Sequence, residues 1–169
     1  MKLLTSVVTL CIVAIVGFLM VGEALRCDHE ETGTIFSFQP ENSTSSNYTQ
    51  SFCKECRTRL EYSNFRGIPQ DTSYLEVLKS HSDCRELVTG EYYTVTATVI
   101  LGDYSVDKTI LDCKVENEDI IISFSVEFRD GFEEAVELIE EDSVITFRGK
   151  LCNERGLWFT DCELITEVE

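Results

Sequence analysis

Apolar and polar residues alternate through most of the second half of the chain, and this period of two is the feature that most constrains the fold. Residues 94–101, 109–115 and 120–128 each place apolar side chains on one face, which predicts three half-buried strands. Residues 117–119 supply a tight turn. The second and third strands are therefore predicted to form a hairpin.

The period then changes to that of a helix and back again. One helical stripe is formed by Phe132, Ala135, Val136, Leu138 and Ile139. Asp130 is predicted to cap the N-terminus of this helix and Asp142 to end it. Residues 145–151 and 157–165 alternate again, with a turn over 153–156. Three strands, a helix and a hairpin are the order of an oligonucleotide/oligosaccharide-binding (OB) barrel.

The segments GEYYTVTATVIL, ISFSVEF, EEDSVITFRGKL and WFTDCELI resemble the tRNA-anti-like branch of OB folds. The resemblance covers roughly residues 73–167 and includes a lead-in helix over residues 71–80. Ala97 and Asp142-Ser143 depart from the glycine and the Gly-Asp of the family pattern. The resemblance implies the barrel, whereas extracytoplasmic members of this family mostly have no assigned activity.

The same resemblance implies a buried position in the closing strand for Cys162. A free thiol there packs like a small apolar side chain, and Cys113 and Cys152 are open to the same interpretation. The alternative is a disulfide that joins Cys162 to Cys113 or to Cys152 in an oxidising compartment.

A secretory leader is predicted at the N-terminus. Lys2 precedes an uncharged apolar run over residues 3–22, and residues 22–24 offer small side chains at the −3 and −1 positions of a cleavage site. The run is also long enough to cross a bilayer, so an uncleaved anchor is the alternative. We expect a secreted protein, or one anchored in a membrane and facing outside, with residues 1–24 as signal peptide or anchor.

The negative charge is concentrated in the second half of the chain. Residues 89–169 contain 6 basic and 20 acidic residues, a net charge of −14 out of −17 for the whole chain. Nucleic-acid affinity depends on basic side chains that displace phosphate counterions, so this charge argues against nucleic acid as a partner. The acidity either keeps the protein soluble or attracts cations or a basic partner. The expected partner is an extracellular or envelope component of unknown identity.

Four soft or borderline metal ligands lie in the first half of the chain. Cys27-x-His29 is followed by Cys53-x-x-Cys56, a combination that tetrahedral zinc accepts. This spacing resembles short Cys/His modules at the start of many secreted bacterial proteins. In those modules a glycine usually follows the second cysteine of the C-x-x-C pair, where this chain has Arg57. A structural zinc site is therefore predicted.

Other interpretations of these cysteines stay open. His81 and Cys84 are possible substitute ligands. A disulfide staple could join Cys27 to Cys53, Cys56 or Cys84, although seven cysteines after the leader leave one thiol unpaired. A redox-active Cys53-x-x-Cys56 is the third interpretation, but no thioredoxin-like βαβ pattern surrounds it.

A ligand of the barrel is predicted to contact the outer face of its second and third strands and the adjoining loops. The side chains available there for stacking or hydrogen bonding are Tyr104, Lys108, Arg155 and Trp158. The bland alternative is that Trp158 packs partly against the barrel and Tyr104 is a turn residue. A neutral sugar is more compatible with the surrounding acidic residues than an oligonucleotide is.

These observations together predict an all-β chain with a helix. Residues 25–70 form a small Cys/His-rich module, with a polar loop over 43–50, and residues 71–169 form the lead-in helix and a five-stranded OB-type barrel. No nucleophile motif contains either histidine and no glycine loop cradles phosphate, so catalysis is not expected. The predicted function is a non-catalytic binding or adaptor protein; a thiol-redox protein and a sugar- or oligonucleotide-binding domain are the alternatives.

Overall fold

A computed structural model describes residues 27–39, 46–66, 69, 71–100, 110–152 and 157–165. Within these ranges the chain forms eight strands and two helices. In chain order they are β1 (Thr32–Ser37), β2 (Tyr48–Cys53), β3 (Arg59–Asn64), α1 (Ser73–Ser80), β4 (Tyr92–Ile100), β5 (Ile110–Glu116), β6 (Ile120–Phe128), α2 (Glu133–Glu137), β7 (Val144–Cys152) and β8 (Trp158–Leu164).

Five of the strands close into a barrel, as the sequence predicts. β5 pairs with both β4 and β6, β7 pairs with both β4 and β8, and these four pairings are antiparallel. The ring is closed by a parallel pairing of β6 with β8. The predicted strands over residues 94–101, 109–115 and 120–128 correspond to β4, β5 and β6. The predicted hairpin is formed, because the Asn117 side chain accepts hydrogen bonds from the backbone of Asp119 and Ile120.

β1, β2 and β3 extend the barrel sheet on one side. β1 pairs in parallel with the first half of β6, from Thr34 opposite Ile120 to Ser37 opposite Ser123. β8 pairs with the second half of β6, beginning at Ser125. One edge of β6 is thus divided between the strand that starts the extension and the strand that closes the barrel.

The extension and the barrel share one hydrophobic core. Phe36 and Phe38 lie in the same buried cluster as the barrel residues, and each ring lies 5.3 Å from the ring of Tyr74 on α1. α1 packs against β5 and β6 through its buried face. One sheet and one core therefore contain residues from both sides of the predicted module boundary.

Inside the barrel the apolar faces of the strands meet as their alternation predicts. The ring of Phe159 contacts the rings of Phe124 and Phe147 edge to face, with centroids 5.5 and 5.3 Å apart. Cys113 and Cys162 are fully buried, as predicted, while Cys152 is half-buried. All seven cysteines within the described residues are free thiols, so this structure contains neither disulfide considered for Cys162.

Two local predictions are wrong. Asp130 does not cap the second helix, because Gly131 at φ 97° turns the chain first and Phe132 occupies the N-cap without a side-chain hydrogen bond. The helix ends at Glu137, well before Asp142, which instead adopts φ 62° in the turn before β7.

The third correction concerns the polar stretch predicted as a loop over residues 43–50. Its last three residues, Tyr48, Thr49 and Gln50, form the first half of β2. Their polarity is explained by the incomplete burial of this strand, since all three are only half-buried.

Several predictions fall outside the described residues: the leader or anchor over residues 1–24, and the candidate ligand contacts Tyr104, Lys108 and Arg155. Of the helices in the described part of the chain, none has the length and apolarity to cross a membrane.

Candidate metal centre

The Cys/His cluster consists of Cys27, His29, Cys53 and Cys56, and two segments of chain build it. Cys27 and His29 lie in the segment that leads into β1, while Cys53 ends β2 and Cys56 lies in the turn towards β3. The antiparallel pairing of β1 with β2 places Thr32 opposite Cys53. The chain that enters β1 is therefore held beside the turn that leaves β2.

The four candidate ligand atoms lie within 4.8 Å of one another, so the cluster could hold a metal ion. Cys27 Sγ lies 3.1 Å from Cys53 Sγ, and Cys56 Sγ lies 3.5 Å from His29 Nδ1. Two thiolates on one tetrahedral zinc are separated by roughly 3.8 Å, given zinc–sulfur bonds of about 2.3 Å. The sulfurs of Cys27 and Cys53 would therefore need to move apart by about 0.7 Å to bind one such ion.

Backbone hydrogen bonds fix the turn that carries Cys53 and Cys56. The N–H of Arg57 donates to the carbonyl of Cys53, and the N–H of Cys53 donates to the carbonyl of Thr58, both at 2.9 Å. The N–H of Lys54 donates to the carbonyl of Glu31 at 3.0 Å, which ties the turn to the start of β1. These hydrogen bonds thus hold the turn in the conformation that brings the thiols of Cys53 and Cys56 close to Cys27 and His29.

Arg57 adopts the backbone conformation that a glycine would usually supply. Its φ of 59° lies in the left-handed region, which costs a residue with a Cβ roughly 1–2 kcal/mol. Its guanidinium lies over the ring of Phe52, 5.1 Å from the centroid, and this contact offsets part of the cost. The sequence departure at position 57 therefore leaves the shape of the turn intact.

Hydrogen bonds distinguish the three thiols electrostatically. The pKa of Cys53 is lowered, chiefly by the backbone N–H of Cys56, and the pKa of Cys56 is lowered, chiefly by the hydroxyl of Thr58. The hydrogen bond with Cys53 raises the pKa of Cys27 to about 12. Without a cation, the cluster therefore keeps a proton on Cys27 beside the more acidic thiols. Metal binding releases such protons, because the thiolate is the ligand.

The cluster is also tied to the barrel. Lys54, between the two cysteines of the turn, forms an ion pair with Asp119 in the turn between β5 and β6. The carbonyl of Asp119 accepts a hydrogen bond from the N–H of Thr34 on β1 at 2.8 Å. The start of β1, the turn after β2 and the β5–β6 turn therefore meet at one corner of the molecule.

His81 and Cys84 take no part in the cluster. His81 Nδ1 lies 2.9 Å from the carbonyl of Val77, and Cys84 Sγ lies 2.9 Å from Ser82 Oγ. The C-x-x-C turn lies between two strands, β2 and β3, rather than at the N-terminus of a helix. Neither His81 nor Cys84 is therefore a substitute ligand in this structure. The turn also lacks the helix N-terminus that commonly lowers the pKa of a redox-active thiol.

Of the four residues proposed to contact a barrel ligand, the structure describes only Trp158. It begins β8, where it pairs with Ser125 and Cys152, and its side chain is half-buried.

The sequence analysis missed a groove on one face of the extension, which we call the β1–β3 groove. Its volume is about 440 Å³. Its lining is Thr34, Phe36, Thr49, Ser51, Glu61, Tyr62, Ser63, Phe65, Pro69 and Asp71. The sequence signal for this groove is weak: polar side chains recur with a period of two at Thr49 and Ser51 and again at Glu61 and Ser63.

These features define a closed OB-type barrel with a three-stranded extension and a Cys₃His cluster at the corner where the two join. The chain matches no protein-family model, no curated protein and no solved structure.

Proposed function

We propose that this chain is a non-catalytic OB-fold binding or adaptor protein that works outside the cytoplasm, with a structural zinc ion in the Cys/His cluster. The observation that carries the proposal is the convergence of Cys27, His29, Cys53 and Cys56 within 4.8 Å. The assignment of the chain to the tRNA-anti-like branch of OB folds is also part of the proposal. It is supported by the strand order and by the buried Cys162 in the closing strand.

Zinc is the metal that the donor set favours. Three cysteine sulfurs and one imidazole are a common structural zinc set, whereas calcium and magnesium take oxygen ligands. Four protein ligands complete a tetrahedron and leave no position for a substrate. The ion would therefore hold the structure together rather than take part in chemistry.

The role of the ion would be to hold the strands of the extension together where the extension meets the barrel. The cluster joins the segment before β1 to the turn between β2 and β3, and this turn lies beside the β5–β6 turn of the barrel. β3 has little burial of its own, with five of its six residues exposed. Metal binding would therefore stabilise the strands that depend least on the core.

The charge of the chain supports a binding role for a partner other than nucleic acid. A net charge of −17 repels phosphate and attracts basic groups. A leader or anchor over residues 1–24 supports a location outside the cytoplasm. For the outer face of the barrel, the proposed ligand is a neutral sugar that binds near Trp158.

Native mass spectrometry of the protein purified with zinc and without reductant tests the zinc proposal. The wild type and Cys84→Ser, a control thiol outside the cluster, should each carry one zinc ion. Cys53→Ser/Cys56→Ser should carry none. A metal-free wild type whose mass is lowered by the hydrogens of one or more disulfides would overturn the zinc proposal.

The 3.1 Å separation of Cys27 Sγ and Cys53 Sγ favours a second candidate, a thiol-redox protein. Here the dithiol of the cluster would reduce a substrate disulfide and become oxidised to a disulfide itself. Insulin reduction by the metal-free protein tests this candidate. Activity that is retained in Cys84→Ser and lost in Cys53→Ser would support it, and absence of activity in the reduced wild type would exclude it.

A further inference from the structure

β3 presents an open strand edge. It lies at one end of the eight-stranded sheet and pairs with β2 on its inner side only, among the strands that the structure describes. The N–H of Phe65 donates to the carbonyl of Asn47 at 2.9 Å. Ser63, two residues before Phe65, therefore also directs its backbone groups towards β2. By the alternation of an antiparallel ladder, the backbone groups of Tyr62 and Asn64 point to the open side.

The β1–β3 groove lies directly beside this edge. Glu61 and Ser63 of β3 line it, and hydroxyls from β1 and β2, such as those of Thr34 and Ser51, lie further in. The aromatic rings of Phe36 and Phe65 contribute apolar surface. A strand added to β3 would direct every second side chain to this face of the sheet, since successive side chains alternate.

The described lining of the groove is acidic. Among the described residues, its lining contains two carboxylates, those of Glu61 and Asp71, and no basic side chain. Its volume of about 440 Å³ exceeds what one long side chain fills. The chain as a whole carries −17, which raises the local concentration of a cationic partner. The electrostatics therefore favour a lysine or arginine side chain and disfavour an acidic one.

We propose that an extended basic peptide segment of a partner protein pairs with the outer edge of β3 as an additional strand and places a lysine or arginine side chain in the β1–β3 groove. In this mode the main-chain hydrogen bonds to Tyr62 and Asn64 give affinity, and the groove gives specificity. The inference names the partner of the proposed binding role and rests on that role, but it does not depend on zinc.

The first test uses the full zinc-treated protein and three blocked octapeptides in a titration calorimeter. One peptide alternates lysine with threonine, the second has glutamate in place of each lysine, and the third has the lysines but prolines in place of two threonines. The lysine peptide should bind, and the other two should bind at least 10-fold more weakly. Equal binding of the proline peptide would overturn strand addition, because proline cannot donate to the ladder.

The second test locates the contact on the protein. Glu61→Gln should weaken binding of the lysine peptide by about 2- to 5-fold, as expected for an exposed ion pair. Glu134→Gln, which removes the same charge from the exposed face of α2, should leave the affinity unchanged. Equal effects of the two substitutions would overturn the groove as the site and indicate attraction by net charge alone.

Hydrogen exchange supplies a readout of the edge itself. The amides of Tyr62 and Asn64 should exchange rapidly in the free protein and become protected when the lysine peptide is added. Protection without peptide in a monomer would show that another segment of this chain covers the edge, and protection that rises with protein concentration would show a second copy there. Either result would overturn the proposal. A wild type that takes up no zinc when purified with the metal, yet binds the peptide, would overturn the zinc proposal and support this one.

Discussion

Gly149 of β7 lies directly against Cys162 of β8, so that a Cβ atom at position 149 would overlap the Cys162 sulfur. The β7–β8 register shifts at the same place, between Arg148 and Lys150. The glycine therefore lets the bulged strand approach its neighbour closely at the point where the barrel closes.

Gly149→Ala should destabilise the barrel by about 1–3 kcal/mol, because the added methyl group has no space in the packed core. Urea unfolding measures the loss. Cys162→Ala is the matched background, since it removes the sulfur that the methyl group would meet, and Gly149→Ala should cost clearly less there. Equal costs in both backgrounds would contradict the contact.

Arg57→Gly should be more stable than Arg57→Ala by about 1 kcal/mol or more. Both variants lose the guanidinium over Phe52, but only alanine keeps a Cβ in the left-handed conformation at φ 59°. Thermal unfolding in the presence of zinc compares the two. If alanine were as stable as glycine, position 57 would not hold the conformation described for the turn.

Metal removal should lower the melting temperature of the wild type by several degrees. A ligand that binds only the folded state stabilises it by about 2.7 kcal/mol at a free concentration 100 times its dissociation constant. Calorimetric scans with zinc and with a chelator should therefore differ for the wild type and for Cys84→Ser, and coincide for His29→Ala/Cys56→Ser. A chelator effect of equal size in all three proteins would contradict zinc binding at the cluster.

The buried thiols predict a loss of stability at alkaline pH. Burial raises the pKa of both Cys113 and Cys162 well above the ordinary value of 9.0. Above about pH 9 the unfolded chain loses these protons while the folded chain keeps them, so the free energy of unfolding falls as pH rises. The slope approaches about 2.7 kcal/mol per pH unit for two thiols.

Urea unfolding at pH 8, 9 and 10 checks this slope against Cys113→Ala/Cys162→Ala. The variant retains the other titrating groups of the chain, so its stability should fall less steeply with pH. Parallel curves for the two proteins would show that these thiols do not keep their protons in the folded state.

The barrel was predictable because its strands bury one face. Apolar residues such as Ile122, Phe124 and Val126 therefore recur at every second position of the sequence. The extension was not predictable. Apart from Phe52 and Cys53 at the end of β2, most residues of β2 and β3 are polar and incompletely buried, and the parallel contact of β1 with β6 depends on residues far apart in the chain. Nothing in local periodicity reports such a contact.

The candidate ligands were predictable from residue type and spacing, because Cys27-x-His29 and Cys53-x-x-Cys56 each carry a metal-binding signature on their own. Their convergence was predicted too, but the strand pairing that produces it, with Thr32 opposite Cys53, was not. The N-cap prediction at Asp130 failed for a different reason. Gly131 adds a turn that no propensity argument at Asp130 reveals.

The divided edge of β6 implies an order of assembly during synthesis. The Cys/His cluster lies wholly within residues 27–56, so the pair of strands β1 and β2 could form, and could bind the proposed metal, as soon as that length of chain has emerged. β1 must then wait for Ile120 and its neighbours before its other side is covered. Until β6 has been synthesised, a bound metal would keep β1 and β2 paired at the end that carries the cluster. It would thereby reduce the chance that β1 pairs with a wrong strand.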